Sequence, residues 1–404
     1  MEVKPEIETL AKIKVVGVGG SGGAAINRMI SIKLRGVEFV AINTDAQALQ
    51  HSRAGVKLHI GSATTRGLGA GMDPELGRKS AEESRDEIKE VLKGADIVFL
   101  TCGLGGGTGT GAGPLVAELA REAGALTIAV VTKPFSFEGA QRKSIAEHGV
   151  DDLADKVDTI ITIPNDRLLQ LIDKKTSLLE AFSIVDDVLR QGVQGISELV
   201  TVPGLINVDF ADVKAIMANT GSALMGIGVA SGENRATDAA KAAVDSPLLE
   251  LGIDGARGIL FTITGGPDLT MYEVNEAARI ITASADLNAK IIFGAVIDEA
   301  MKDELKVTVI ATGFGQTASP KKVTSAPAPY SPVPFLRSER IPTQESKIER
   351  SAEASLRGFQ ERSLKPPVKS KATPLSERTP GSTKPEENDD YDIPAFIRRK
   401  LGKK

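Results

Sequence analysis

The chain has 404 residues, 41% of them apolar and 25% charged, which excludes a wholly disordered or collagen-like protein and allows two or three packed units. Trp is absent and aromatic residues make up 4%, so any core must be built from Val, Ile, Leu and Ala. The net charge of −4 is unevenly spread: residues 317–386 carry thirteen Lys/Arg against seven Asp/Glu, leaving an acidic body that argues against general nucleic-acid binding. The single cysteine, Cys102, excludes an intramolecular disulfide and fits a reducing cytosol. No stretch approaches the roughly 20 apolar residues of a membrane helix, and the first residues lack a signal-peptide apolar run.

From 13 to 316, short apolar runs alternate with amphipathic stretches. IKVVGVG (13–19), FVAINT (39–44), DIVFLTCG (96–103), ALTIAVVT (125–132) and DTIITIP (158–164) read as strands covered on both faces. AAINRMISIKL (24–34) and GPLVAELAREAG (113–124) read as helices between them, giving a βαβ series and a parallel, doubly wound sheet. Residues 176–200 form one long helical pattern, with Leu178, Phe182, Val185, Leu189, Val193 and Ile196 on one face. Strands GILFTITG (258–265), AKIIFGAVID (289–298) and LKVTVIATGF (305–314) follow, so a second, smaller α/β unit is expected.

Eleven of the twenty prolines fall in 317–386, among Ser, Thr, Lys and Glu. Such a segment buries too little apolar area to offset ordering entropy and reads as a disordered linker, with a reach of roughly 45 Å. In DDYDIPAFIRRK (389–400), acids precede Pro394 and bases follow, while Ile393, Phe396 and Ile397 share a face. The segment is too short to hold a helix alone, so it reads as a peptide that folds on a partner or as a frayed terminus. The expected divisions are 1–12 flexible N-terminus, 13–175 nucleotide-binding domain, 176–202 connecting helix, 203–316 second domain, 317–386 linker and 387–404 tail peptide.

GVGGSGG (17–23) follows the first strand and opens a helix, where freed amides favour a phosphate. Gly17, Gly19 and Gly22 also match the dinucleotide fingerprint, and Asp45 stands where its ribose-binding acid would. That leaves a nicotinamide-dependent dehydrogenase, or a plain tight turn, as alternatives. GLGGGTGTGAGP (103–114) also follows an apolar strand and precedes a helix, and its seven glycines exceed what a structural turn needs. Thr108 and Thr110 add hydroxyls for phosphate or a magnesium-bound water. Two glycine loops at the carboxyl ends of parallel strands enclose a triphosphate from both sides, whereas a dinucleotide needs only one.

GGGTGTG (105–111) resembles the signature loop of the tubulin/FtsZ superfamily. GVGGSGG, PFSFEG (134–139), IPNDRLL (163–169) and NVDFADV (207–213) resemble further FtsZ motifs in order, and YDIPAFIRR (391–399) resembles the FtsZ tail peptide. The resemblance implies a GTPase that assembles head-to-tail into filaments of a division ring, with GTP/GDP and Mg²⁺ as ligands. By similarity, Gly20, Ser21, Gly22, Gly23 and Ala24 meet the nucleotide from one side and Gly107, Thr108 and Gly109 from the other. Ala70 and Gly71 resemble a loop sensing the γ-phosphate. Glu138, Arg142 and Asn165 resemble ribose and phosphate contacts, and Asp186 a guanine contact. A carboxylate there accepts from both N1–H and the 2-amino group, donors that adenine lacks. Phe182 either stacks on the base or packs in the core. The family usually has Asn where this chain has Ala24, so one contact is lost.

NVDFADV carries the acids that the resemblance makes catalytic, Asp209 and Asp212, with Asn207. From spacing alone, Asp209 and Asp212 equally suit a helix cap and its third position. The resemblance places them against the GTP of the next subunit. It also implies membrane-tethering division adaptors that bind Asp392, Ile393, Pro394, Phe396, Ile397 and Arg398, and a cytoplasmic protein at mid-cell. A non-catalytic scaffold of the same fold remains the other alternative; Ala24 favours it, and retention of Asp209 and Asp212 opposes it. His51, His59 and His148 have no metal or triad spacing, and Cys102 reads as a small buried hydrophobe.

Overall fold

The computed structural model describes residues 11–34, 36–169, 175–201, 204–206, 208–246 and 252–314. Residues 1–10 of the expected N-terminal segment 1–12, the linker, the tail with its partner-binding residues, and Asn207 lie outside the described residues.

Among the described residues ten strands form one sheet: β1 (Ile13–Val18), β2 (Val37–Asn43), β3 (Val56–His59), β4 (Ile97–Gly103), β5 (Leu126–Lys133), β6 (Thr159–Pro164), β7 (Gly221–Ser231), β8 (Gly258–Gly265), β9 (Lys290–Ile297) and β10 (Glu304–Thr312). Twelve helices are described: α1 (Gly19–Ser31), α2 (Ala46–His51), α3 (Ser62–Thr65), α4 (Pro74–Glu83), α5 (Arg85–Leu92), α6 (Thr108–Glu122), α7 (Ala140–Ala154), α8 (Asn165–Leu168), α9 (Leu178–Thr201), α10 (Phe210–Met217), α11 (Arg235–Val244) and α12 (Met271–Ala283).

The strand order is β3-β2-β1-β4-β5-β6-β7-β10-β8-β9. From β3 to β7 every pairing is parallel, and β10 runs antiparallel to both β7 and β8. The expected parallel α/β sheet is present. The sheet continues into the second half through β6 and β7, where Thr159–Ile161 pairs with Gly221–Ala223. Because β1 lies between β2 and β4, the chain reverses its direction of travel across the sheet there. The loops leaving β1 and β4 therefore open a crevice between them, the usual ligand position in such sheets.

The core is aliphatic. Along β1, Ile13 and Val15 enter a cluster with α1, α9 and α10, whereas Val16 and Val18 face the cluster under α4, α5 and α6. β4 alternates in the same way, with Ile97 and Phe99 on one face and Val98, Leu100 and Cys102 on the other. A third cluster joins β8 and β10 to α11 and α12. The two helices are pinned by Arg235, which pairs with Asp268 at 2.7 Å and Glu273 at 2.6 Å.

The long α9 matches the predicted pattern, and Val185, Leu189, Val193 and Ile196 are buried. Its Gly195 has space for close approach to β10, where an added Cβ would stand 3.1 Å from Thr308 Cγ2. The helix spans about 36 Å at 1.5 Å per residue. It starts beside the crevice and ends at Thr201, which packs on Gly36 just before β2, at the opposite end of the strands.

Candidate nucleotide site

Both glycine loops are more helical than expected. α1 begins at Gly19 and α6 at Thr108, so the glycines form the first turns of their helices. The first N–H groups of a helix have no intrahelical partner and point outward, as an anion site requires. The two loops meet: a Cβ on Gly19 would stand 3.1 Å from the Gly109 nitrogen, and Gly19 has φ +77°. Ser21 fixes their spacing by accepting the Gly103 N–H at 2.8 Å.

A cleft of about 530 Å³ opens over these helix ends. Gly20, Ser21, Ala24, Gly107, Thr108, Gly109, Glu138, Arg142, Asn165, Phe182 and Asp186 all line it, drawing together residues from across half the chain. A larger cavity of about 750 Å³ between α4, α6 and α7 is lined by Thr110 and by no other predicted nucleotide residue.

Five residues expected at the nucleotide differ. Gly22 does not line the cleft: a Cβ there would come within 2.5 Å of the Thr101 carbonyl oxygen, so its bareness lets α1 sit on β4. Gly23 lines a neighbouring cavity of about 240 Å³ that shares Gly20 and Ala24 with the cleft. Thr110 faces away from the cleft, and its buried hydroxyl accepts the Gly105 N–H at 3.0 Å. Ala70 and Gly71 do not line the cleft, but Ala70 closes one end, because a Cβ on Gly107 would meet the Ala70 Cβ at 2.8 Å.

The other end of the cleft differs chemically. Phe182 is 42% exposed, so it is not a core residue. Its ring stands edge-on to Phe135 with centroids 5.7 Å apart, and Phe137 stacks on Phe135 at 5.0 Å. The Phe135 buttress was not assigned a role in the sequence. Glu138 is held in place: its carboxylate accepts the Phe135 N–H at 3.0 Å and the Arg142 guanidinium at 2.8 Å.

Two polar groups in the cleft suit a ligand that brings hydrogen-bond donors. Asn165 is 6% exposed, and among the described residues its Oδ1 has no hydrogen-bond partner. Burial pushes the Asp186 carboxyl up to about 6, against the opposing pull of the Arg28 guanidinium. An orphaned acceptor such as the Asn165 Oδ1 costs stability until a donor arrives. Cys102 is inert, since burial pushes its thiol up to about 12.

Asp209 and Asp212 do not line the cleft. They stand at the start of α10, which follows the far end of α9. The other end of α10 is tied down where Thr159, at the head of β6, donates to the Met217 carbonyl. Asp209 is an N-cap that accepts the Asp212 N–H at 2.7 Å, so the capping reading holds for that residue. Among the described residues the exposed Asp212 carboxylate has no hydrogen-bonding partner.

A parallel sheet with two glycine-opened helices over one cleft defines a nucleotide-binding fold of the tubulin type, and residues 12–173 match the GTPase domain of the Tubulin/FtsZ family. Residues 221–315 match the C-terminal domain of the FtsZ family. An FtsZ dimer from M. jannaschii is 47% identical with a TM-score of 0.73, covering 76% of this chain and 89% of that one. A mutant FtsZ from M. jannaschii is 48% identical with the same TM-score of 0.73, covering 76% and 92%. The GTPgS-bound protofilament of CetZ2 from Haloferax volcanii shares the fold at 24% identity, with a TM-score of 0.64 over 74% of this chain and 92% of that one. The chain belongs to the FtsZ family.

Proposed function

We propose that the protein binds GTP in this cleft and hydrolyses it at head-to-tail contacts between subunits of a filament. The glycine-opened helix ends take the phosphates, Glu138, Arg142 and Asn165 the ribose side, Phe182 the base face, and Asp186 the guanine N1–H and 2-amino group. The observation that carries this reading is one cleft lined by the unpartnered Asn165 Oδ1, by Asp186 with its raised carboxyl, and by two amide-rich helix ends. A guanine nucleotide supplies donors to the two side chains and negative charge to the helix ends.

The cleft also fits Mg²⁺ carried on the nucleotide. Thr108 offers a hydroxyl at the phosphate end, and the cleft carboxylates, Glu138 and Asp186, lie with the ribose and base contacts. Phosphate oxygens and water would complete the coordination of the ion, which offsets phosphate charge when bound.

Each subunit carries Asp209 and Asp212 on the element beyond α9, away from its own cleft, so these acids act on the nucleotide of the next subunit. Asp212 orients or deprotonates the attacking water, and Asp209 fixes the helix start that presents it. Asn207 is assigned to the same loop. Such contacts are heterologous and build open filaments. In this reading residues 13–175 hold nucleotide, 176–202 connect and 203–316 deliver the acids. The filament serves cell division at mid-cell in the cytoplasm, and the tail around Phe396 and Ile397 binds membrane-tethering adaptors.

GTP-triggered pelleting with simultaneous phosphate release tests the proposal. Both should rise together with GTP and not with GDP or ATP. Phosphate release without pelleting, or protection from thermal unfolding by NAD and not by GTP, would contradict it.

A further inference from the structure

One residue touches both walls that close the phosphate end of the cleft. Thr44 follows β2 and is fully buried. Its turn is rigid: Asn43 accepts the Asp45 N–H at 3.3 Å, and Asp45 caps α2 through Gln47 at 2.9 Å and Ala48 at 3.1 Å. The Thr44 hydroxyl lies 2.6 Å from the Thr108 hydroxyl, at the first position of α6 in the cleft wall. The Thr44 carbonyl faces the other way, with Gly69 N, Thr65 Oγ1 and His59 Nε2 each at 3.3 Å.

The segment 66–72 held by that carbonyl is strained. Arg66 and Met72 have φ +56° and +66°, and Gly67, Gly69 and Gly71 are also left-handed. The segment is tied to the end of β2 a second time, where Ala46 donates to the Gly67 carbonyl at 3.1 Å. On its other side, Ala70 abuts Gly107.

We propose that Thr44 is a positioning residue for the terminal phosphate, acting through Thr108; the inference rests on the GTP reading of the cleft. The argument is one of proton accounting. Phosphate oxygens only accept hydrogen bonds, so Thr108 must donate its single hydroxyl proton to them. The oxygen of Thr108 then has to accept, and Thr44 is placed to donate to it. The chain from Thr44 O–H to Thr108 O–H to phosphate leaves every member satisfied, and each bond polarises the next. Without nucleotide either hydroxyl of the pair can be the donor. A terminal phosphate selects one of them. The same residue holds Gly69 through its carbonyl, so the hydroxyl chain and the strained segment share one anchor. The affected phosphate is the one farthest from Phe182 and Asp186, which distinguishes GTP from GDP.

The test uses the full chain with Thr44→Val, which keeps shape and removes the hydroxyl, and Thr44→Ser, which keeps the hydroxyl. Calorimetry with GTPγS and GDP should show Thr44→Val weakening GTPγS about tenfold with GDP changed less than about twofold. Thr44→Ser should bind both as wild type does. In a Thr108→Val background, adding Thr44→Val should change GTPγS affinity by less than about twofold. Equal losses for both nucleotides, no loss for either, or a Ser variant as defective as the Val variant would each overturn the assignment. Wild-type protein that binds neither nucleotide would instead sink the GTP reading. Matching thermal unfolding of the unliganded variants separates these outcomes from misfolding.

Discussion

The carboxylate of Asp209 accepts the backbone N–H of Asp212 at 2.7 Å, so one acid of the pair is spent on the helix start and the other is left open to a substrate. The sequence spacing made the two equivalent; the geometry does not. Asp212→Ala should keep GTP binding and lose turnover by at least about 100-fold, the usual worth of a positioned base. Asp209→Ala should also lower stability by about 1 kcal/mol through the lost cap. Steady-state phosphate release and thermal melts read the two effects separately. Normal turnover in the Asp212 variant would remove it from the mechanism.

Asp186 should make GTP binding pH-dependent. Its carboxyl titrates at about 6 in the folded, unliganded protein against an ordinary 3.8, because burial disfavours the charge. For the unliganded fold, this group's contribution is fully present below pH 3.8 and is lost as pH rises through about 6. Nucleotide binding through Asp186 should run the opposite way, since only the carboxylate can accept from both guanine donors. GTP affinity should therefore fall as pH drops through about 6. In Asp186→Asn, affinity should be weak and flat across the same range, as titration calorimetry at several pH values would record.

Asn165 separates binding from stability. Its buried Oδ1 has no partner among the described residues, so Asn165→Ala removes an unsatisfied acceptor from the free protein. The variant should melt at or above the wild-type temperature without nucleotide. It should gain less from added GTP, by about 1–2 kcal/mol. A large loss of stability without nucleotide would show that the amide is structural.

How much of this was legible depended on where the information lies in the chain. β1, β4, β5 and β8 are continuous apolar runs, and their ends were readable within a residue or two. β7 was not, because GSALMGIGVAS is rich in glycine and small residues. Its Gly228 exists for a contact with α11, where a Cβ would come 2.0 Å from the Ala239 carbonyl oxygen. The glycine loops were readable as phosphate loops, but the start of α1 at Gly19 was not. Glycine disfavours helix, and here the tertiary contacts of Gly22 under β4 override that preference. Ser21 and Phe135 were in quoted motifs, yet their partners, Gly103 and Phe182, are far away in sequence. Thr44 left no local trace, since its partner Thr108 is 64 residues on.

Ala24 lines both the nucleotide cleft and the small cavity beside it. Replacing it with Asn, the residue usual in the family, should restore a side-chain contact worth about 1 kcal/mol, or roughly fivefold in GTP affinity. Unchanged affinity would mean that the position does not reach the nucleotide in this chain.

The central claim is that the acids reach GTP only from a neighbouring subunit. Turnover per subunit, measured across a dilution series in excess GTP, tests it most directly. The account predicts almost no hydrolysis at low protein concentration and a steep rise above a threshold. A rate per subunit that stays constant down to concentrations at which light scattering finds only monomers would contradict it.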